Sequence, residues 1–181
     1  MKQFLVIVFV ACTLIAFGQQ KEPKVSGNRW VFGGNVALSF TTNGFLIGAS
    51  PTVGYRFTER LTAGGGGLYY YQSIRGFGQN YTASIYGPQL YARFVVGQSI
   101  LQDGDRLFLQ SDYYNINSKY YNPLNDEFSR IWVPQWYVGG GYFFQIGNNV
   151  FAGVNIMYDL IDDPNAAFPN PMIQGGISVG L

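Results

Sequence analysis

The chain closes with the segment Met172-Ile173-Gln174-Gly175-Gly176-Ile177-Ser178-Val179-Gly180-Leu181, in which apolar residues alternate with small or polar ones. Successive side chains of an extended strand point to opposite faces, so Ile177, Val179 and Leu181 share one face, and Ser178 and Gly180 share the other. The alternation predicts a β-strand with one apolar face.

Eight segments with this period of two follow one another along the chain. They are residues 30–41, 45–58, 61–73, 85–97, 107–116, 131–146, 150–160 and 172–181. No charged residue falls in their apolar set. The opposite set contains Arg56, Arg93, Asp112 and Asp159. One face of every predicted strand therefore excludes charge.

Side-chain volume decides which face points inward, because periodicity alone leaves both orientations open. The apolar set contains all the tryptophans and most of the phenylalanines, whereas the opposite set contains twelve glycines. The interior of an eight-stranded barrel is only just filled by side chains, so the glycine-rich set fits inside and the bulky set does not. The sequence predicts an all-β fold, an eight-stranded antiparallel up-and-down transmembrane β-barrel.

A soluble secreted β-barrel that binds a small hydrophobic ligand is the alternative fold assignment. It makes the opposite prediction, because Trp136, Val154 and Ile177 would then lie inside the barrel.

The N-terminal residues predict export. Residues 1–18 combine Lys2 with a short apolar run and read as a secretory signal peptide. Cleavage would leave a short periplasmic segment, residues 19–29, before a barrel domain at residues 30–181. Processing at Cys12 as a lipoprotein is an alternative, but residues 9–11 fit a lipobox poorly. Cys12 is the single cysteine, so the mature chain would fold without disulfides.

The overall composition suits a surface that faces lipid. Charged residues make up 12% of the chain and aromatic residues 18%, and the net charge is +1. A protein that binds nucleic acid would carry a basic stripe or tail, and the sequence has neither. We therefore expect outer-membrane lipid and lipopolysaccharide as partners, and no nucleic acid.

The connections between predicted strands alternate in length. Residues 59–60, 98–106 and 147–149 form short or moderate turns, whereas residues 74–84, 117–130 and 161–171 form predicted long loops. Outer-membrane barrels have short periplasmic turns and longer outer loops, so the long set is predicted to be extracellular. The first outer connection, residues 42–44, is short.

Three prolines contradict the simplest barrel. Pro51, Pro88 and Pro134 lie inside predicted strands, where each missing N–H removes a ladder hydrogen bond. Bulges or loosened pairing must accommodate them, and Pro51, in the middle of its strand, is the hardest to place.

The eight alternating strands and the terminal Gly176-Ile177-Ser178-Val179-Gly180-Leu181 resemble the small eight-stranded outer-membrane barrels of the OmpA and OmpX type. The resemblance covers residues 30–181 and implies insertion by the barrel-assembly machinery, a Gram-negative cell outer membrane location and a role in envelope integrity or surface interaction. Leu181 departs from that family, which more often ends in phenylalanine.

An enzyme is disfavoured by the absence of histidine. The chain has none, which removes the usual base at neutral pH and every Ser-His arrangement of the familiar triads. Asp162 and Asp163 lack the ligand spacing of a calcium loop. We predict no catalytic residue, cofactor or metal site.

Two further functions remain open at this point. The inward charges Arg56, Arg93, Asp112 and Asp159 either line a narrow passive channel or pair with one another in a packed interior. The second arrangement is favoured because large side chains are predicted to fill the lumen: Tyr70, Tyr91, Tyr114, Tyr137 and Phe143. Outside the barrel, Tyr120, Tyr121 and Phe128 in the predicted 117–130 loop are candidate anchors for an extracellular ligand.

Overall fold

The computed structural model describes residues 29–41, 44–76, 79–98, 105–122 and 127–180. The predicted signal peptide, the possible lipoprotein site at Cys12 and the terminal Leu181 lie outside these residues. Within the described residues, no helix is long and apolar enough to cross a bilayer.

Eight antiparallel strands close into one barrel in the order of the chain, and the last strand pairs with the first. The strands are β1 (Trp30–Thr41), β2 (Gly44–Arg56), β3 (Leu61–Gly76), β4 (Gln79–Gln98), β5 (Arg106–Asn122), β6 (Glu127–Gly147), β7 (Val150–Asp159) and β8 (Met172–Val179). The predicted fold is confirmed. We name the end with the β2–β3 and β6–β7 turns the inner end, and the opposite end the outer end.

The apolar residues point outward, as their volume predicted. Trp136, Val154 and Ile177 are 42%, 50% and 55% exposed, whereas Tyr114 and Tyr137 are buried in the lumen. The alternative arrangement, with the first three residues inside, is wrong.

The inward glycines allow the strands to approach closely on the inside of this narrow barrel. A Cβ atom built on Gly64 would overlap the carbonyl oxygen of Val53, and one on Gly139 would overlap that of Ile156. On the outer face, a Cβ atom on Gly67 would meet its nearest neighbour, the carbonyl oxygen of Gly87, at 3.7 Å. Gly64 and Gly139 therefore have no room for a side chain inside the barrel, whereas Gly67 has room for one outside.

Two of the three predicted long loops are mostly strand. β3 and β4 pair up to Gly76 and Gln79, and β5 and β6 pair up to Asn122 and Glu127. The ladder needs only backbone groups, so these hairpins continue after the apolar alternation has ended. The third predicted loop, residues 161–171, is a loop.

At each of the three prolines, the hydrogen-bonded ladder with one of the two neighbouring strands is interrupted or has already ended. The β2–β3 register skips Pro51 and its neighbour Ser50 without a shift. The β4–β5 register skips Pro88 in the same way. Pro134 of β6 lies beyond the point at which β7 ends, so the β6–β7 ladder does not reach it. Loosened pairing, rather than a bulge, accommodates all three.

Candidate functional site

A hydrogen-bonded relay crosses the middle of the lumen and contains two of the four predicted interior charges. The Nε–H of Arg93 donates to Oε1 of Gln110 at 2.7 Å. The Nε2 of Gln110 donates to both carboxylate oxygens of Asp112, at 3.0 and 2.8 Å. The two charges are therefore linked through a neutral amide, which the sequence analysis did not single out.

The relay continues toward the outer end through Tyr114. Its hydroxyl donates to Oδ2 of Asp112 at 3.3 Å and accepts from Nε2 of Gln89 at 3.1 Å. Asp112 is fully buried, and Gln89 is 2% exposed. A charged group this deep persists only when it is hydrogen-bonded, and the bonds from Gln110 and Tyr114 meet that requirement for Asp112.

Aromatic rings surround the Arg93 guanidinium. Its central carbon lies 5.4 Å from the ring centroid of Tyr91, 5.1 Å from that of Phe108 and 4.7 Å from that of Phe143. Phe108 and Phe143 stack at 4.3 Å and form the apolar layer at the inner end with Val31 and Phe151. Cation–π attraction thus offsets part of the cost of removing the cation from water.

The other two predicted interior charges, Arg56 and Asp159, lie apart from this relay. Arg56, near the inner end, donates from Nη2 to the carbonyl of Gly180 and so joins β2 to the end of β8. A further cation, Arg106, also lies near the inner end, although the sequence analysis placed it in a connection. Its guanidinium is 5.0 Å from the ring centroid of Phe151. No single site contains all four predicted charges.

Asp159 holds the outer loop against the barrel. Its Oδ1 accepts from the backbone N–H of Trp136 at 3.1 Å and from that of Ile161 at 3.0 Å. Asn170, at the far end of the loop, accepts from the Asp159 N–H through Oδ1 at 3.0 Å and donates from Nδ2 to the Asp159 carbonyl at 3.1 Å. The predicted interior charge Asp159 thus has a structural role. Its hydrogen bonds join both ends of the outer loop to the barrel, and we call them the loop clasp.

The clasped loop folds over the lumen. The Phe168 ring packs edge-on against Tyr70, with centroids 5.2 Å apart, and lies 6.4 Å from Tyr114. Phe168 and Ala167 extend the outer apolar layer, which contains Leu68, Tyr70, Ile85, Tyr114, Ile116, Tyr137, Met157 and Met172. All five large side chains that the sequence predicted to fill the lumen are buried there.

The space left in the relay layer is small. A void of about 20 Å³ lies among Tyr91, Arg93, Gln110 and the inward glycines. A single water needs about 10–15 Å³ of such space, so the void has room for one. Apolar layers lie on both sides of it, and in the part of the chain that the structure describes their core side chains are buried.

The surface candidates from the sequence are only partly described. The backbones of Tyr120 and Tyr121 belong to β5 and that of Phe128 to β6, with Tyr121 opposite Phe128. Their predicted position in a loop is therefore wrong, because the β5–β6 hairpin extends further than the alternation did. Their side chains lie outside the described part of the structure.

A cationic pair lies on the outer face near these residues. Lys119 of β5 stands directly opposite Arg130 of β6, and both are exposed. Lys119 donates to the carbonyl of Thr82 at 3.4 Å. The Nη1 of Arg130 donates to Oδ1 of Asn117 at 2.8 Å and to the Ser84 carbonyl at 3.2 Å.

Aromatic residues lie immediately below this pair. The Arg130 guanidinium lies 5.1 Å from the Tyr86 ring centroid, and Tyr86 packs edge-on against Trp132 at 6.2 Å. An outward band of apolar side chains continues from there toward Phe144 at the inner end. Among the described residues, no group of three His, Cys, Asp or Glu side chains is placed to hold a metal ion.

Comparison with known proteins supports the fold. No family model and no curated protein matches the sequence. The N-terminal β-barrel domain of Pseudomonas aeruginosa OprF, known from a crystal structure, is similar with a TM-score of 0.50 and 17% sequence identity, over 85% of this chain and 98% of that domain. The predicted resemblance to small eight-stranded outer-membrane barrels is confirmed at the level of the fold.

Proposed function

We propose that this chain is an integral outer-membrane protein of the Gram-negative envelope, non-enzymatic, with an envelope-structural or surface-interaction role. The observation that carries the proposal is the largely apolar outward face of the eight-stranded barrel. Ile156, Ile173 and Ile177, for example, are each more than half exposed on it. Burying such residues in water-free hydrocarbon is favourable, and the backbone groups of the paired strands satisfy one another.

The packed lumen favours a scaffold over the alternative of a narrow passive channel. Apolar layers close both sides of the Arg93–Asp112 relay. The function then lies in the barrel wall and in the outer hairpins, where the Tyr120, Tyr121 and Phe128 positions remain candidate contacts for an extracellular ligand.

Lipopolysaccharide is the partner that the Lys119–Arg130 pair fits best. Like charges directly opposite each other destabilise a sheet, and the contacts of both cations within the described residues are with neutral groups. An anion bridging the two would remove the repulsion. Because the pair lies just above the aromatic residues Tyr86 and Trp132, the phosphate of an outer-leaflet lipid is at the right height.

Insertion during biogenesis follows the same proposal. Strand β8 presents Ile173, Ile177 and Val179 on its outward face. We propose that the barrel-assembly machinery reads this strand, in keeping with the resemblance to small outer-membrane barrels.

Refolding into lipid tests the proposed function. The protein should insert into vesicles and migrate differently on a gel before and after heating, as a folded barrel does. In planar bilayers the inserted protein should show no discrete conductance. Failure to insert would overturn the membrane assignment, and steady channel openings would favour the channel.

The lipopolysaccharide partner is tested separately. The double variant Lys119→Gln/Arg130→Gln should lose most of the lipopolysaccharide that co-purifies with the wild type. Arg60→Gln, which removes an exposed cation at the inner end, is the matched control and should retain it. Equal retention in both variants would contradict this partner.

A further inference from the structure

The barrel wall is not fully paired between its first and last strands. β1 pairs with β2 along its whole length, from Trp30 to Thr41. Its register with β8 covers only four residue pairs, from Phe32 opposite Val179 to Asn35 opposite Gly176. Within the described strands, Val36 and the rest of β1 toward the outer end have no partner on β8. We name this unpaired outer part of the β1–β8 boundary the seam.

A cavity of about 650 Å³ lies at the seam. It is lined by Asn35, Val36 and Ala37 of β1, by the first four residues of β8, and by Phe168 in the outer loop above. Known ligand pockets have volumes of about 300–1,000 Å³, so the space is large enough for a ligand. It lies toward the outer end from the small void in the relay layer, and Asn35 lines both.

The cavity passes through the wall. Ala37 and Met172 border it from the lumen side, where they belong to or pack against the outer apolar layer. Val36 and Ile173 border it from the outer face and are 69% and 71% exposed. A molecule in the surrounding lipid can therefore enter sideways, without passing the outer loop.

The lining selects an uncharged ligand with a long apolar part. The polar side chains among the described lining residues are the amides Asn35, Gln72 and Gln174, together with the Tyr70 hydroxyl, and none of the lining residues is ionised at neutral pH. The Nδ2 of Asn35 donates to Oε1 of Gln174 at 3.1 Å across the end of the paired region. A phosphate or carboxylate would find no cation there, whereas an ester or amide can exchange hydrogen bonds with these side chains.

The unpaired strand edge points to the same occupant. Backbone groups left without partners within hydrocarbon cost several kcal/mol each, so the edge of β1 beyond Asn35 requires polar contacts. The ester or amide oxygens of a lipid lie just below its charged head group and can supply them.

From these observations, and resting on the proposed membrane location, we propose that the seam cavity binds an acyl chain of a membrane lipid. The lipid's ester or amide group lies beside Gln72 near the outer end of the cavity, and the chain reaches down toward Asn35 and Gln174. The charged head group stays outside the cavity. The outer loop, with Phe168, forms the roof of the site.

A luminal tryptophan tests for the chain directly. In a background in which the three native tryptophans are replaced by phenylalanine, Phe168→Trp places a reporter at the cavity. Phe143→Trp places a control inside the lumen but in the inner apolar layer, behind a paired wall. In vesicles of phosphatidylcholine with brominated acyl chains, the Phe168→Trp protein should lose most of its emission, and the control should lose little. Equal quenching of the two would overturn the proposal.

A disulfide across the seam tests whether the chain enters there. Extending the β1–β8 register by one pair places Val36 opposite Gly175, so Val36→Cys/Gly175→Cys can close the seam without removing a polar side chain of the site. Oxidation should restore most of the emission of the Phe168→Trp reporter, and reduction should quench it again. The control bridge, Phe32→Cys/Val179→Cys, joins residues already paired and should have no effect. Quenching that persists in the closed protein would contradict entry through the seam.

Two measurements separate this proposal from the membrane assignment and from misfolding of the variants. Quenching of native Trp132 and Trp136 by the same vesicles reports insertion alone, and its absence would overturn the membrane location instead. Native mass spectrometry of the wild type, released from phosphatidylcholine nanodiscs, needs no substitution. One retained lipid per chain would support the seam site, and release without any lipid would contradict it.

Discussion

The Arg93–Gln110–Asp112 relay makes the sharpest quantitative prediction. Asp112→Ala removes the acceptor for two donors, Nε2 of Gln110 and the hydroxyl of Tyr114. It also leaves the Arg93 cation without its linked counter-charge. The substitution should therefore destabilise the barrel strongly, without changing the surface exposed on unfolding.

The magnitude follows from the two donors that lose their acceptor. A buried donor left unsatisfied costs about 1–3 kcal/mol, and one partner of a buried charge pair left alone costs about 3–5 kcal/mol. The void of about 20 Å³ beside Arg93 and Gln110 has room for one water, which would satisfy one of the freed donors. We expect a loss of about 3 kcal/mol in the free energy of unfolding.

A double-mutant cycle separates the charge linkage from the loss of packing. Arg93→Met removes the cation and keeps most of the side-chain volume. If the two charges stabilise each other through Gln110, the double variant Arg93→Met/Asp112→Ala should cost less than the sum of the single variants, by about 1–3 kcal/mol. The assay is equilibrium unfolding in urea from lipid vesicles. Additivity within about 0.5 kcal/mol would refute the relay as a coupled unit.

Three further predictions follow from the lumen and its loop. Gly64→Ala should destabilise the barrel by about 1–3 kcal/mol or more, because a side chain at this inward position has no room. Gly67→Ala has open space outside and should change the stability by less than about 1 kcal/mol. Equal urea midpoints for the two variants would contradict the requirement for a small residue at position 64. Phe168→Ala should leave planar bilayers without channel openings, because the inner apolar layer still closes the lumen, and steady openings would show that it does not. Asp159→Ala should speed hydrogen exchange at the Ile161 amide at least tenfold, since an acceptor worth about 1.4 kcal/mol is removed, and unchanged exchange would refute the clasp.

The strands and their faces could be predicted because lipid on one side and a narrow lumen on the other impose a period of two. The alternation predicts β1 at its observed ends, and the inward positions of Arg93 and Asp112 follow from it as well. The outer ends of β3 to β6 could not be predicted in this way. Beyond the apolar band, a residue such as Lys119 pairs through its backbone, whatever its side chain.

The parts of the candidate site that sequence analysis missed depend on tertiary contacts. Gln110 looks like any polar inward residue until the barrel closes and places it between Arg93 and Asp112. Phe168 lies in a loop without periodicity, and only the loop's fold places its ring over the lumen. The seam depends on how far β8 extends along β1, which the pattern within either strand does not determine.

The apolar face of the barrel wall points to lipid and the opposite face to the lumen, and strand β7 tests this orientation most directly. Single spin labels at Val154, Asn155, Ile156 and Met157 in protein refolded into vesicles would report collision with oxygen dissolved in the bilayer. Ile156 is 58% exposed and Met157 fully buried, so collision rates should be high at 154 and 156 and low at 155 and 157. The reverse alternation, or equal exposure to water at all four positions, would contradict a lipid-facing apolar wall.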